Sequence, residues 1–344
     1  MTRPSYPVRD DVNVVVVDAQ ESIDVAVSVI IPLKRVNAYL RECLAALRKQ
    51  TFQRFDVFVV TDEPESFQCE GLRVHFLSSG AVPPNIKRLM AAEKTKAEIV
   101  ALIDDDAYPD PQWLERALEH FKNTNIVAVG GPGVTPPSDS SLQQASGAVY
   151  ASPLVSGGYT YRYLPQPARF VRDVPSCNLI VRREPFVRYV PACVKYWPGE
   201  DTKLCLLIAG EGRGEIVYDP LVRVFHHRRK LFWGHFRQVW NYAVHRGFFS
   251  KRYPETSRKP AYFVPSVFVV SNVALVALWP ALPFVRVIGL VGICVYGAAV
   301  AWASLGALRS HRAHPLLIAA GIYMTHLTYG IGFLVGCLRP ELDH

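Results

Sequence analysis

The sequence predicts an α/β domain built on a doubly wound, Rossmann-like sheet, followed by an amphipathic basic segment and C-terminal transmembrane α-helices. Three observations support this order. Apolar runs typical of buried strands alternate with helical patterns through residues 25–129. Residues 226–260 then contain nine Lys or Arg residues and a single acid. Residues 261–338 contain only three charged side chains, all of them arginines.

Short runs of β-branched and other apolar residues predict the strands of the sheet, because strands buried on both faces are apolar throughout. They lie at residues 25–31, 55–60, 74–77, 98–103 and 126–129. Helical patterns fill the intervals: one follows the N-cap residue Asn37, one covers residues 86–97, and one begins near Pro111. This alternation is typical of a doubly wound sheet. Residues 131–175 are rich in Gly, Pro and Ser and are expected to form a long functional loop.

Three apolar stretches near the C-terminus predict membrane crossings, because each has the ~20 residues that span a hydrocarbon core of about 30 Å. They cover residues 261–282, 285–307 and 315–337. Basic residues precede the first stretch and lie between the second and third, so the positive-inside tendency predicts three crossings with the C-terminus outside. The predicted organisation is an N-terminal extension (1–25), a catalytic domain (26–229), a basic interfacial segment (230–260) and the transmembrane region (261–338).

The cellular location follows from the same patterns. The first 25 residues do not resemble a signal peptide, and the seven scattered cysteines fit a reduced compartment better than a disulfide framework. We therefore expect a multi-pass protein of the cell (inner) membrane, with its catalytic domain in the cytoplasm.

The basic segment predicts contact with anionic lipid phosphates. Between residues 230 and 250, aromatic and aliphatic side chains fall on one helical face and basic ones on the other, which suits a helix in the membrane interface. Arg228, Arg229 and Arg237 are the expected phosphate partners. An ordinary amphipathic helix packed on the sheet is the alternative. Nucleic acid is not expected as a partner, because the apolar stretches that follow keep the segment near a membrane.

Three acids, Asp104, Asp105 and Asp106, follow directly after a predicted buried strand. Ligands bind at the carboxyl ends of strands in open α/β sheets, and a divalent cation relieves the repulsion between adjacent carboxylates. A solvated acidic turn would be the simpler explanation. Glu200 and Asp201 form a second acidic pair at a predicted helix start, where simple N-capping is the alternative.

In their order and spacing, these features resemble family-2 glycosyltransferases with the GT-A fold over about residues 26–250. The resemblance is carried by the strand at residues 27–32, Asp62 and Glu63 after the second strand, Asp104–Asp106 with Trp113, Asn178, the Glu200–Asp201 pair and the basic interfacial helix. Residues 130–137, 175–183 and 329–336 further resemble a prokaryotic membrane-bound subgroup, some members of which build exopolysaccharides on lipid carriers.

The resemblance implies a role for each matching residue. The nucleotide-sugar donor is expected to contact Pro32, Lys34, Asp62, Glu63, Arg88, Asp104 and Asp105. Asp106 and His227 are expected to bind Mg²⁺ or Mn²⁺. Asp201 would be the general base, and Glu200 would help to bind the acceptor.

The expected function is therefore metal-dependent, inverting transfer of one sugar from a nucleotide-diphosphate donor to a polyprenyl-diphosphate-linked saccharide at the cytoplasmic membrane face. Two alternatives remain open at this point. One is a polyprenyl-phosphate glycosyl synthase that uses the bare lipid phosphate. The other is a non-catalytic, nucleotide-binding membrane scaffold. The Gln-x-x-Arg-Trp pattern of processive synthases is absent from the sequence, which argues against a polymerising enzyme.

Overall fold

A computed structural model describes residues 15–17, 25–210, 214–308 and 312–342. Most of the predicted N-terminal extension therefore lies outside the described residues. The strands are β1 Val15–Val17, β2 Val27–Pro32, β3 Phe55–Thr61, β4 Val74–Ser78, β5 Ile99–Ile103, β6 Ala107–Pro109, β7 Ile126–Gly130, β8 Gly133–Val134, β9 Arg169–Phe170, β10 Asn178–Arg182, β11 Glu215–Tyr218 and β12 Val224–His226. The helices are α1 Ala38–Leu47, α2 Pro84–Lys94, α3 Trp113–His120, α4 Ser141–Ala151, α5 Pro153–Ser156, α6 Arg183–Tyr189, α7 Glu200–Gly210, α8 Trp233–Arg252, α9 Pro254–Ser257, α10 Pro260–Leu278, α11 Pro283–Ala307 and α12 Pro315–Leu338.

The chain divides into two compact units. The first contains residues 1–134 and 164–226, and the second contains residues 135–163 and 227–344. The predicted irregular stretch 131–175 is therefore shared between them. The prediction of irregular structure is wrong for α4, whose first turn is closed by Ser140 and Gln143 in a capping box.

The first unit is built on a mixed nine-stranded sheet of order β1-β4-β3-β2-β5-β10-β7-β11-β9. Strands β4, β3, β2 and β5 are parallel neighbours, and β10 lies antiparallel between β5 and β7. Side chains of β2 alternate between two cores: Val29 and Ile31 pack with helices α1 and α3, whereas Ile30 packs with α2, α6 and α7. Helices therefore cover both faces of the sheet, which confirms the predicted doubly wound arrangement.

This topology places chemically important segments at one edge of the sheet. Because β2, β3 and β5 run parallel and adjacent, their carboxyl ends lead into Leu33, Asp62 and Asp104 on the same side. A separate three-stranded sheet of order β6-β12-β8 begins just after the acidic run that follows β5. It brings the end of β12 back to the start of β6, where His226 is opposite Ala107.

The second unit is helical. Its helices α10, α11 and α12 are long and apolar enough to cross a membrane, in agreement with the three predicted apolar stretches. Helix α8 covers most of the predicted interfacial segment. Its exposed side chains include Trp233, Arg237 and Trp240, which lie on one face at helical spacing.

Candidate active site

The three acids after β5 have different environments. The Asp104 carboxylate accepts a hydrogen bond from Arg88 at 2.5 Å, and Asp105 accepts one from the Asn37 amide at 2.5 Å. Burial raises the pKa of the Asp105 carboxyl to about 6, although the hydrogen bond from Asn37 opposes this rise. Asp106 is nearly buried and faces a histidine. The run is therefore embedded in the first unit and is more than a solvated acidic turn.

Strand β12 supplies that histidine. His226 Nε2 lies 3.1 Å from Asp106 Oδ1, because β12 pairs with β6 immediately after the acidic run. Burial lowers the pKa of His226, but Cys177 and Asp106 outweigh this effect and raise it to about 10, so a cation bound to this ring would displace its Nε2 proton. The sequence assigned a metal-binding role to His227, yet its neighbour His226 occupies the place beside Asp106.

Asp104, Asp106 and His226 form a donor set that fits a divalent cation. One ligand atom from each residue lies within 4.8 Å of the other two. Two carboxylate oxygens with one imidazole nitrogen suit Mn²⁺, and Mg²⁺ prefers the oxygen donors of the same set. The residues present are thus compatible with the metal that the sequence predicted.

Arg88 connects the acidic run to the start of α7. Its guanidinium is only 4% exposed and lies 2.5 Å from Asp104 Oδ1 and 3.4 Å from Glu200 Oε1. The Arg88 Nε atom is buried and has no hydrogen-bond partner among the described residues. Arg88 was expected near the donor diphosphate. The structure places it between the predicted donor-binding and acceptor-binding acids, with its Nε–H group available for a further hydrogen bond.

The residue before Arg88 forms a second link across the strand ends. Lys87 is buried, and its ammonium group donates hydrogen bonds to the Leu33 carbonyl and the Asp62 carboxylate. The Asp62 backbone amide in turn donates to the Lys34 carbonyl at 3.0 Å. This cluster fixes Asp62 at the sheet edge. Pro32 ends β2 as a buried residue, while the side chains of Lys34 and Glu63 are exposed.

The acidic pair at the start of α7 lines a small cavity with Asn85, Arg88 and Ser176. Glu200 accepts from the Gly199 amide at 2.9 Å, and burial together with the charge of Asp201 raises the pKa of Glu200 to about 7 despite Arg88. Asp201 is less buried than Glu200. Its carboxylate accepts from the Thr202 amide at 2.7 Å and the Ser176 amide at 3.4 Å. These hydrogen bonds hold the Asp201 carboxylate in place at the start of α7.

The remaining predicted residues belong to the second unit. His227 Nδ1 contacts Asp139, and the Arg228 side chain is buried, with its guanidinium 5.1 Å from the centre of the Tyr163 ring. Arg229 and Arg237 are exposed, as phosphate partners at a membrane surface must be. Arg228 thus has a different environment from the other two arginines.

Three residues at the site were missed from the sequence: Asn37, Lys87 and His226. Asn37 was assigned only as a helix cap, a role it also fills by accepting from the Leu40 amide at 2.9 Å. Lys87 directly precedes the predicted Arg88. Nothing in the sequence indicated its role beyond its place on a predicted helix. His226 directly precedes the predicted ligand His227, but the register of β12 decides which of the two histidines faces Asp106.

Comparisons with known proteins show what the chain is similar to. Residues 28–190 match the sequence family described as Glycosyl transferase family 2. The chain is 28% identical over 232 residues to the glucosyl-dolichyl phosphate glucuronosyltransferase of Haloferax volcanii, covering 62% of this chain and 71% of that protein. It is also 28% identical over 116 residues to the glycosyltransferase AglE of the same organism, covering 30% of this chain and only 38% of that protein.

A solved structure shows the same fold. The mannosyltransferase PcManGT from Pyrobaculum calidifontis, determined in complex with GDP-Man and Mn²⁺, superposes with a TM-score of 0.57 at 15% sequence identity and with 90% of each chain covered. The predicted GT-A type of α/β fold is thereby confirmed. The chain is a glycosyltransferase, and its residues 28–190 match the model of glycosyl transferase family 2.

Proposed function

We propose that the enzyme transfers one sugar, with inversion, from a nucleotide-diphosphate donor to a saccharide that a polyprenyl phosphate or diphosphate already carries, at the cytoplasmic face of the membrane. The Haloferax volcanii relative is named for an acceptor of this chemical class, a glucosyl-dolichyl phosphate. The observation that carries the proposal is the Arg88 guanidinium, which contacts Asp104 on the donor side and Glu200 beside Asp201. Acids suited to both substrates therefore belong to one connected site.

On the donor side, the ion pair between Lys87 and Asp62 would hold the Asp62 carboxylate ready to accept hydrogen bonds from the nucleotide base. Asp104, oriented by Arg88, would accept from the nucleotide sugar. A divalent cation held by Asp104, Asp106 and His226 would offset the negative charge of the departing diphosphate. The Arg88 Nε atom is a further donor at this point.

On the acceptor side, Asp201 would act as the general base. A sugar hydroxyl is a poor nucleophile until a base takes its proton as the new bond forms. Asp201 accepts two backbone hydrogen bonds that orient its carboxylate, and it lines the cavity. Glu200, fixed by Arg88 and the Gly199 amide, would position the acceptor. A bare lipid phosphate is already ionised at neutral pH and requires no such base.

The test is Asp201→Asn, which keeps the shape of the side chain and removes its basicity. We expect kcat to fall about 10²–10⁴-fold, the usual contribution of general base catalysis, with donor Kd unchanged. Glu119→Gln, at an exposed acid of α3 that pairs with Lys122, is the matched control and should keep full activity.

Two results would contradict the assignment. A loss of kcat below tenfold would favour a bare lipid phosphate as the acceptor. Weaker donor binding with kcat preserved would show that Asp201 binds the donor and is not the base.

A further inference from the structure

Helix α12 differs from the other two apolar helices in how far protein covers it. Over its most apolar part, 44% of the residues are buried, compared with 6% for α10 and 11% for α11. Its exposed large apolar side chains are Leu316, Tyr323, Met324, Ile331, Leu334 and Leu338. Their spacing places them along one stripe of the helix. Protein covers the opposite face, whereas α10 and α11 are largely exposed over their most apolar parts, as spans surrounded by lipid are.

Helices α10 and α11 form a hairpin, and the distance of a residue from its turn indicates how deep that residue lies in the membrane. Gly289, early in α11, packs against Leu275, late in α10. Further from the turn, Phe268 and Tyr296 stack with their ring centroids 4.8 Å apart. The start of α10 and the end of α11 therefore mark one end of the hairpin, and the turn between them marks the other.

Both halves of α12 meet the hairpin at its open end. Ile318 and Ile322 share an apolar cluster with Val300 and Ala303, close to the end of α11. In the second half, the Phe333 ring lies 4.8 Å from that of Phe263, close to the start of α10.

Between these contacts, His326 joins both arms, at 2.8 Å from the Tyr296 hydroxyl and with its ring centroid 5.8 Å from that of Phe268. A helix of 24 residues is about 36 Å long. If α12 crossed the membrane parallel to the hairpin, it would reach from the open end of the hairpin to its turn. Both halves of α12 instead contact the open end.

Helix α8 gives an independent argument, because it runs beside α12 in the same direction. His235 Nε2 is 3.0 Å from the Thr325 hydroxyl, and Lys251 Nζ donates to the Arg339 carbonyl at 2.8 Å. Between these points, Gly336 allows the α12 backbone to approach that of α8 at Val244. If α12 crossed the membrane, α8 would carry its basic side chains into the hydrocarbon core, where charges are costly.

We propose that α12 lies in the membrane–water interface beside α8, with its apolar stripe against the lipid acyl chains, and that the α10–α11 hairpin is the only part of the described chain that crosses the bilayer. The end of α12 then lies on the same side as the start of α10, which replaces the expected three crossings. The partner of the stripe is the lipid bilayer itself. This inference is independent of the proposed function, because it rests on the contacts of the second unit alone.

Cysteine labelling in intact and opened cells tests the proposed topology. Glu255→Cys marks the side on which α10 begins, Pro280→Cys marks the hairpin turn, and Pro340→Cys reports on the end of α12; all three positions are exposed. The unaltered chain supplies the background, and labelling in detergent establishes that each site reacts. With a membrane-impermeant maleimide, Pro340→Cys should label together with Glu255→Cys. Labelling together with Pro280→Cys would overturn the proposal.

Spin labels on α12 give a second readout that does not depend on sidedness. Leu316→Cys, Met324→Cys and Leu338→Cys sample the exposed stripe, and Val291→Cys on α11 is the control for a deep position. The proposal predicts similar depths for the three stripe positions, all shallower than position 291. For an upright helix, position 324 would lie roughly 10–15 Å deeper than the two ends, and that result would also overturn the proposal.

Discussion

Replacing Glu200 with glutamine should change the pH profile of the enzyme in a specific way. Glu200 is buried, and its carboxylate lies 3.4 Å from the Arg88 guanidinium that also contacts Asp104. Its pKa is raised to about 7, because burial and the charge of Asp201 disfavour ionisation more strongly than Arg88 favours it. Below this pH, the side chain takes up a proton and loses its charge toward Arg88. Protonation of Glu200 should therefore weaken its contact with Arg88, the residue that also contacts Asp104.

The magnitude follows from that pKa. If activity needs ionised Glu200, kcat/KM falls about tenfold for each pH unit below 7, to roughly a tenth of its plateau at pH 6 and a hundredth at pH 5. Glu200→Gln should remove this acid limb. A hydrogen bond to a charged group contributes about 1.5–3 kcal/mol, and the 3.4 Å contact suggests the lower value. The plateau of the variant should therefore lie about tenfold lower.

Stability gives a second readout with a definite sign. An acid whose pKa is raised by folding destabilises the native state as the pH increases from the unfolded value toward the folded one. For Glu200, stability is lost as the pH rises from its ordinary pKa toward its raised one. The amide of the Glu200→Gln variant cannot ionise. As the pH increases through this window, the melting temperature of the variant should therefore rise relative to that of the unaltered enzyme.

The assay is initial-rate transfer between pH 5 and 9, together with melting curves in the same detergent. Glu184→Gln, at an exposed acid paired with Arg188, is the matched control and should leave both profiles unchanged. Asp105→Asn removes a second acid of raised pKa and should still retain the acid limb near pH 7. If Glu200→Gln keeps the same acid limb, the pH argument is refuted.

Two further predictions concern the donor side of the site. His226→Ala should raise the Mn²⁺ concentration needed for half-maximal activity by at least about tenfold, whereas His227→Ala, which removes a partner of Asp139, should change it far less. Titration of each purified variant with Mn²⁺ checks this prediction. Equal effects of the two substitutions would contradict the assignment of His226. Lys87→Met removes the cation that fixes Asp62 and should raise the KM for the donor about ten- to a hundredfold, while Lys94→Met, at the exposed end of the same helix, should leave it unchanged. Steady-state kinetics at saturating acceptor concentration checks this prediction. An unchanged KM for Lys87→Met would argue against Asp62 as a donor contact.

Much of the fold could be predicted from local patterns. The apolar runs around Val29, Val57 and Ala101 are strands buried on both faces, which single out a parallel sheet with helices on both sides. The acids that follow such strands must lie at the carboxyl edge of the sheet. That rule was sufficient to select Asp104 before its surroundings were known, whereas Asp62 was selected only through the family resemblance.

Contacts between distant segments could not be predicted in the same way. The choice between His226 and His227 depends on the register of β12 against β6, and a shift of one residue reverses which side chain faces Asp106. Helix α12 has the length and hydropathy of a membrane span. Its packing against α8 and against the open end of the hairpin distinguishes it from α10 and α11, because composition does not record which face another helix covers.

Mass spectrometry of the glycolipid product tests the central claim most directly. Purified enzyme with Mn²⁺ is given a panel of nucleotide-diphosphate sugars, with either a polyprenyl phosphate or a polyprenyl-linked saccharide as acceptor. We predict that the saccharide acceptor gains the mass of one sugar residue, that EDTA abolishes the gain, and that the bare phosphate does not react. Transfer to the bare lipid phosphate alone would contradict the proposed acceptor, and undiminished transfer in EDTA would contradict the role proposed for Asp104, Asp106 and His226.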